Sequence, residues 1–234
     1  MEYLSPKTII VDFLRKNVAD PRGRITDATP DTFTANASQT SFQLIPSSGK
    51  TMSYIDSVTV DAVTKTKWEE YYIDSKGQKV IFFTAMTGGE AVIINYGETS
   101  SDWIFPDKPN KKLNALSFPR MNIKIISNPG SRKGNYEAPV EGVPRVQVDI
   151  WCKEKQDNQI FIIGDYKYTG ADLGEYLSYQ VTGAFESNEK ELFPVLYGYE
   201  PVGMPPDLPF DSELQCHHDV VEFILRGLNM GRIN

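Results

Sequence analysis

Apolar residues near the start of the chain recur at helical spacing. Ile10, Phe13, Leu14 and Val18 fall three or four positions apart, which sets them on one face of a helix and predicts that this face packs against something. Ser5-Pro6 offers a capping hydroxyl followed by a proline at the first helical position, the usual chemistry of a helix start. Asp20-Pro21-Arg22-Gly23 ends the run because proline and glycine interrupt helices.

From residue 28 to residue 105 the pattern changes to short runs rich in β-branched and aromatic residues. Thr40–Leu44 alternates apolar and polar positions, and Ile55–Val60, Tyr71–Ile73, Val80–Phe83 and Ala91–Tyr96 complete a set of five candidate strands. Turn residues at Ser47-Ser48-Gly49, Asp74–Gly77 and Thr87-Gly88-Gly89 separate them. Short strands at regular intervals predict a small antiparallel β-sandwich rather than βαβ units.

The remaining pattern mixes both periods. The polar stretch Pro106–Lys112 reads as a connection. Strands are predicted at Pro119–Ile126 and Arg145–Trp151, joined by the long Gly- and charge-rich loop Asn128–Gly142. A second helix is predicted over Thr169–Phe185 from the stripe Leu173, Tyr176, Leu177, Val181 and Ala184, with Gly170, Gly174 and Gly183 weakening it. Strands at Leu192–Tyr199 and Cys216–Arg226 follow, separated by the proline-rich Pro201–Pro209. By the two-residue period His218, Val220, Glu222 and Ile224 face one way, and Val221, Phe223 and Leu225 the other.

The expected fold class is therefore α+β: a mixed β-sheet core flanked by two helices, with an inserted small antiparallel β-sandwich. The expected domains are a core of residues 1–27 and 106–234 and an insertion of residues 28–105. A chain of 234 residues has room for one sizeable domain plus an accessory module.

Composition narrows the function classes. The formal net charge of −7 opposes general nucleic-acid binding, which needs a basic footprint to displace counterions. The N-terminal residues lack the basic start and apolar run of an export signal, and no apolar run reaches the length of a transmembrane helix, so no membrane partner is expected. Two cysteines, Cys152 and Cys216, cannot build a disulfide framework and read as buried free thiols.

The two histidines, His217 and His218, are adjacent and on a strand would project to opposite faces, so they cannot chelate one ion together. They read as surface or interface residues. Cys152 sits at a strand end beside Trp151 and reads as packing. No Gly-x-Ser-x-Gly elbow and no phosphate-binding Gly-x-x-x-x-Gly-Lys sequence occurs. The acids Glu69, Glu70, Asp74, Asp207, Asp211 and Glu213 read as solvated carboxylates. Trp68, Tyr71 and Tyr72 form an aromatic cluster that fits either sandwich packing or a carbohydrate- or protein-facing surface. No enzyme, cofactor or metal is expected.

Two resemblances add to this reading. The run Phe33–Leu44, Ser57–Asp61, Tyr71–Asp74, Val80–Ala85 and Gly88–Tyr96 is similar to a small β-sandwich module of tailed-phage virion proteins. Ala35 stands where that module usually has glycine, and Lys65–Trp68 replaces a more typical turn. The first helix, Phe118–Ile126, Val146–Trp151, the helix near Leu173, the Phe210-Asp-x-Glu213 loop and His217–Phe223 resemble the tail-terminator or tail-completion family of long-tailed prokaryotic viruses.

That family resemblance implies a mixed sheet with helices on one side, assembled as a hexameric ring that caps the tail tube and joins it to the head. The implied partners are copies of the chain itself, tail tube protein and head-tail connector proteins. The implied location is the virion tail or neck, after assembly in the host cytoplasm. Arg132 and Lys133 in the long loop are then candidate contacts to the tube or the lumen, including non-specific contact with packaged DNA. A head-tail connector or adaptor ring and a receptor- or carbohydrate-binding virion protein stand as alternatives.

Overall fold

The computed structural model describes residues 6–106, 118–127, 145–153, 161–163, 166–168, 170–192, 198–202 and 216–226. It is an α+β structure with two helices and mostly antiparallel sheets. Helix α1 spans Pro6–Asn17. Its stripe of Ile10, Phe13, Leu14 and Val18 is buried, with Ile9 alongside.

Eight strands follow: β1 (Ile25–Asp27), β2 (Asp31–Thr34), β3 (Ser41–Gln43), β4 (Thr51–Val60), β5 (Val63–Thr64), β6 (Tyr71–Asp74), β7 (Lys79–Phe82) and β8 (Ala91–Thr99). After them come β9 (Ile104–Phe105), β10 (Arg120–Ser127), β11 (Arg145–Lys153), β12 (Phe161–Ile163) and β13 (Tyr166–Tyr168). Helix α2 (Gly170–Asn188) runs into a 3₁₀ turn at Glu189–Leu192, and β14 (Gly198–Pro201) and β15 (Cys216–Arg226) close the order.

The chain forms two compact units. Gly23–Asp102 makes one, and the described residues up to Arg22 and from Trp103 onward make the other. In the Gly23–Asp102 unit, β8 pairs with β1, β2 and β4, β4 pairs with β5, and a separate antiparallel sheet runs β3-β7-β6. The β4–β5 hairpin turns on Asp61 and Ala62, both with positive φ, the geometry a tight two-residue hairpin requires. Phe42, Ile55, Val58, Val80, Val92 and Ile94 are buried, and the Phe33 and Phe42 rings meet at 5.4 Å between the two sheets.

In the other unit the sheet order is β14-β15-β11-β10-β9, antiparallel except for the parallel β9–β10 pair. Alternation along the strands sorts their side chains. Met121 and Ile123 of β10, Val146, Val148 and Ile150 of β11, and Val221, Phe223 and Leu225 of β15 are buried on one face. Both helices cover that face. Phe185 of α2 joins them, its ring 5.0 Å from Phe13 of α1, 4.3 Å from Phe223 and 5.5 Å from Tyr199. Arg15 donates from Nε (3.1 Å) and Nη2 (2.7 Å) to the Ile104 carbonyl, tying α1 to the edge strand.

Three differences from the sequence reading have physical causes. Leu192 lies in the 3₁₀ turn rather than in a strand, and the strand there begins at Gly198; the 3₁₀ turn prolongs α2 instead of ending it. The short strands β1, β2, β5, β9, β12 and β13, of two to four residues, are too brief to show a period of their own. Gly174, expected only to weaken the helix, also has a packing role: a Cβ there would overlap Asp219 Oδ2 of β15, and the missing side chain lets helix and sheet approach.

Candidate functional site

The other face of the same sheet carries the chemistry. In β10 the sequence Arg-Met-Asn-Ile-Lys puts Arg120, Asn122 and Lys124 on the side away from the helices, and in β11 the alternation Arg-Val-Gln-Val-Asp-Ile-Trp does the same for Arg145, Gln147, Asp149 and Trp151. The register sets Arg120 opposite Trp151, Asn122 opposite Asp149, and Lys124 opposite Gln147. Across the next seam Trp151 faces His218, Asp149 faces Val220, and Gln147 faces Glu222. The result is a ladder of ionisable and amide groups on three adjacent strands.

Asp149 is its centre, with no exposed surface. Lys124 forms an ion pair with one carboxylate oxygen, and His218 Nε2 lies 2.9 Å from the other, which also accepts from the Gln147 amide. Burial pushes the Asp149 pKa up, but the hydrogen bonds from His218, Lys124 and Gln147 and the Lys124 charge outweigh it, so the group stays below the usual aspartate value. The His218 ring lies flat on the Trp151 indole, centroids 3.7 Å apart and planes 5° apart. At the rim Arg145 pairs with Glu222, its Nε donating at 3.0 Å.

Arg120 sits at the other end, 3% exposed. Its guanidinium lies 4.2 Å from the centroid of the Phe105 ring, and its Nε donates to Asn122 Oδ1 at 3.1 Å. Burial pulls its pKa down to about 10, which leaves it charged at neutral pH. Beside it Lys153 Nζ rests over the Phe118 ring at 5.2 Å.

The chemistry open to this ladder is limited by what adjoins it. An aspartate holding an imidazole is the supporting half of a nucleophilic site, yet among the described residues no hydroxyl or thiol hydrogen-bonds to His218. Cys152 is buried, and that burial, with Asp219 and Cys216 nearby, pushes its pKa well above that of a free thiol, the opposite of an activated nucleophile. Both cysteines are free. Among the described residues no cluster of three or more His, Cys, Asp or Glu side chains could hold a metal ion, and no described helix is long and apolar enough to cross a membrane.

Of the residues singled out in the sequence, Arg132 and Lys133 lie outside the described residues, as do Asp207, Asp211 and Glu213. His217 and His218 project to opposite faces, His217 opposite Cys152 and His218 opposite Trp151. Trp68 and Tyr71 are 5% and 1% exposed, so they pack the interior of their unit, and only Tyr72 reaches the surface, stacked on Phe83. The Asp149 cluster was not foreseen. Its signal was the charged or amide residue at every second position of two strands in the middle of a sheet. A second aromatic surface was also missed: Tyr166 and Tyr179 are 71% and 59% exposed, with the Tyr168 and Tyr176 rings 4.8 Å apart. Comparison with protein-family models, with curated proteins and with solved structures returned no match to this chain.

Proposed function

We propose that this chain is a non-enzymatic structural virion protein of the tail-terminator kind, which associates with copies of itself into a ring that ends the tail tube and joins it to the head. The observation that carries the reading is the arrangement of the resembling segments. Helix α1, β10, β11, α2 and β15 contribute to one mixed sheet with both helices on a single face, the arrangement that the family resemblance implies. That leaves the half-buried members of the charged ladder on the opposite face, Lys124, Arg145, Gln147 and Trp151, together with the exposed tyrosines of β13 and α2, as contact surface. Tyrosine and arginine are enriched where proteins meet. Ring closure requires two different surfaces that meet head to tail, and these two are candidates for them.

Light scattering of the purified chain, followed by electron microscopy of any oligomer, tests this. A closed particle of fixed stoichiometry, hexameric as in the family it resembles, is expected, alone or with tube protein. A strict monomer at high concentration, even with tube protein present, would overturn it. Reversing the charges of Arg132 and Lys133 is expected to disturb assembly or DNA retention, and normal particles from that variant would remove the loop from the interface.

A further inference from the structure

Two N–H donors on the charged face have no acceptor among the described residues. Arg120 Nη1 and Trp151 Nε1 are both buried and both lack a hydrogen-bond partner. They belong to residues directly opposite each other on β10 and β11, and opposed residues of an antiparallel pair project from the same face, with Cβ atoms about 5 Å apart. The charges on this face point the same way. Lys124 and His218 share Asp149, and Arg145 takes Glu222, while no carboxylate of the described residues pairs with Arg120. Among the described residues Arg120 is thus a buried cation of this face with no carboxylate partner, held against Phe105 in a setting that makes an unpaired charge costly.

From this geometry we propose that Arg120 and Trp151 form a binding site for an oxyanion, a carboxylate or a phosphate group. Two N–H donors on directly opposed residues of neighbouring strands could serve the two oxygens such a group presents, and a guanidinium supplies the charge-assisted bond. A water molecule would satisfy the donors but leave the charge unbalanced. The flat His218 ring beneath the indole fixes the direction of Nε1, and the Asn122 acceptor on Nε fixes the guanidinium plane, so both donors are preorganised. The ring reading is not needed for this site. An oxyanion that is the carboxylate of a second copy would link the two ideas, and a free anion would leave them separate.

The test is a titration of the full, ¹⁵N-labelled chain, following the Trp151 indole N–H by NMR, with its resonance assigned through its loss in W151F. Phosphate and acetate are each added against chloride at constant ionic strength. Saturable movement of that resonance with phosphate or acetate is expected, with the Trp68 and Trp103 indoles unmoved. In R120M the affinity should fall at least about tenfold, the effect of losing a charge-assisted bond. A shift in chloride alone that grows with protein concentration, and is absent in R120M, supports the site and assigns its anion to a second copy. A resonance that stays still under all three conditions, or moves equally in R120M, overturns the proposal. Should R120M fail to fold, R120K takes its place: it keeps the charge without the planar fork, and an affinity equal to that of the unaltered chain would overturn the two-donor geometry.

Discussion

The two faces of the β14-β15-β11-β10-β9 sheet are built from alternate residues of the same strands, yet they obey different rules. On the helix side Val146, Val148, Ile150, Val221 and Phe223 are buried, and their stabilisation is the non-directional gain of removing apolar area from water. On the far side Asp149, Asn122 and Arg120 are buried nearly as deeply. Desolvation there works against the fold, and only specific partners offset it. The contrast teaches where function can reside. A face held by packing tolerates apolar exchange, whereas a face held by charge pairing fixes particular atoms in particular places.

The largest expected effect belongs to the apolar face. Phe185→Ala removes the ring that joins α1, α2, β14 and β15 and should cost about 3–5 kcal/mol, as buried aromatic truncations do. Chemical denaturation of the unit's near-ultraviolet signal measures it. A loss under about 1 kcal/mol would mean that the helices are not held through this ring and would erase the distinction between the faces.

Asp149→Asn strikes the charged face and should cost about 3 kcal/mol, because Lys124 and the Gln147 amide lose their anionic partner inside the fold. The pH dependence has a definite sign. The folded pKa of Asp149 is depressed, so its contribution is fully present above the unfolded aspartate value of about 3.9 and is lost as pH falls through the lower folded value. The stability gap between the unaltered chain and the variant should hold steady from neutral pH down to about 4 and close below it. A gap that closes instead between pH 5 and 7 would locate the titration elsewhere.

Gly174→Ala sets the faces against each other through the thickness of the sheet. The new methyl would overlap Asp219 Oδ2, forcing α2 away from β15, at about 2 kcal/mol. A neutral outcome would show that the Asp219 side chain can swing aside and that the helix does not depend on close approach. Glycine at 183, where a Cβ meets nothing within 4 Å, provides the control: alanine there should stabilise slightly through helix propensity.

The apolar face was legible in the sequence and the charged one only in outline, for reasons these residues make plain. Ile10, Phe13 and Leu14, Leu173, Leu177 and Val181, and Val221, Phe223 and Leu225 repeat at 3.6 or 2 residues, and each is buried. Periodicity reports a face, and the apolar face is the one it reports. The Asp149 cluster is drawn from β10, β11 and β15, separated by up to about 100 positions in sequence, and nothing local encodes which Lys or His will stand opposite which Asp. That pairing follows from strand register alone. His218 was placed on the correct face of its strand by alternation, while its stacking on Trp151 depended on a neighbour that alternation cannot name. For the Trp68 cluster the sequence left sandwich packing and an exposed surface both open, and the burial of Trp68 and Tyr71 favours packing.

The smallest effect should come from the rim, and it tests whether burial rather than charge sets the character of the second face. Arg145 and Glu222 are paired like Lys124 and Asp149, but the Arg145 side chain is 42% exposed and that of Glu222 is 13% exposed, against none for Asp149. Solvent screens such a pair, and side-chain ordering offsets much of its Coulombic gain. Glu222→Gln should therefore cost no more than about 1 kcal/mol, and the cost should shrink further in 1 M salt. Asp149→Asn, in the buried centre of the same ladder, should keep most of its cost under the same conditions. Equal losses at both positions, with equal salt sensitivity, would mean that the two pairs share one environment and that the ladder has no buried centre on which an anion site at its Arg120 end could be built.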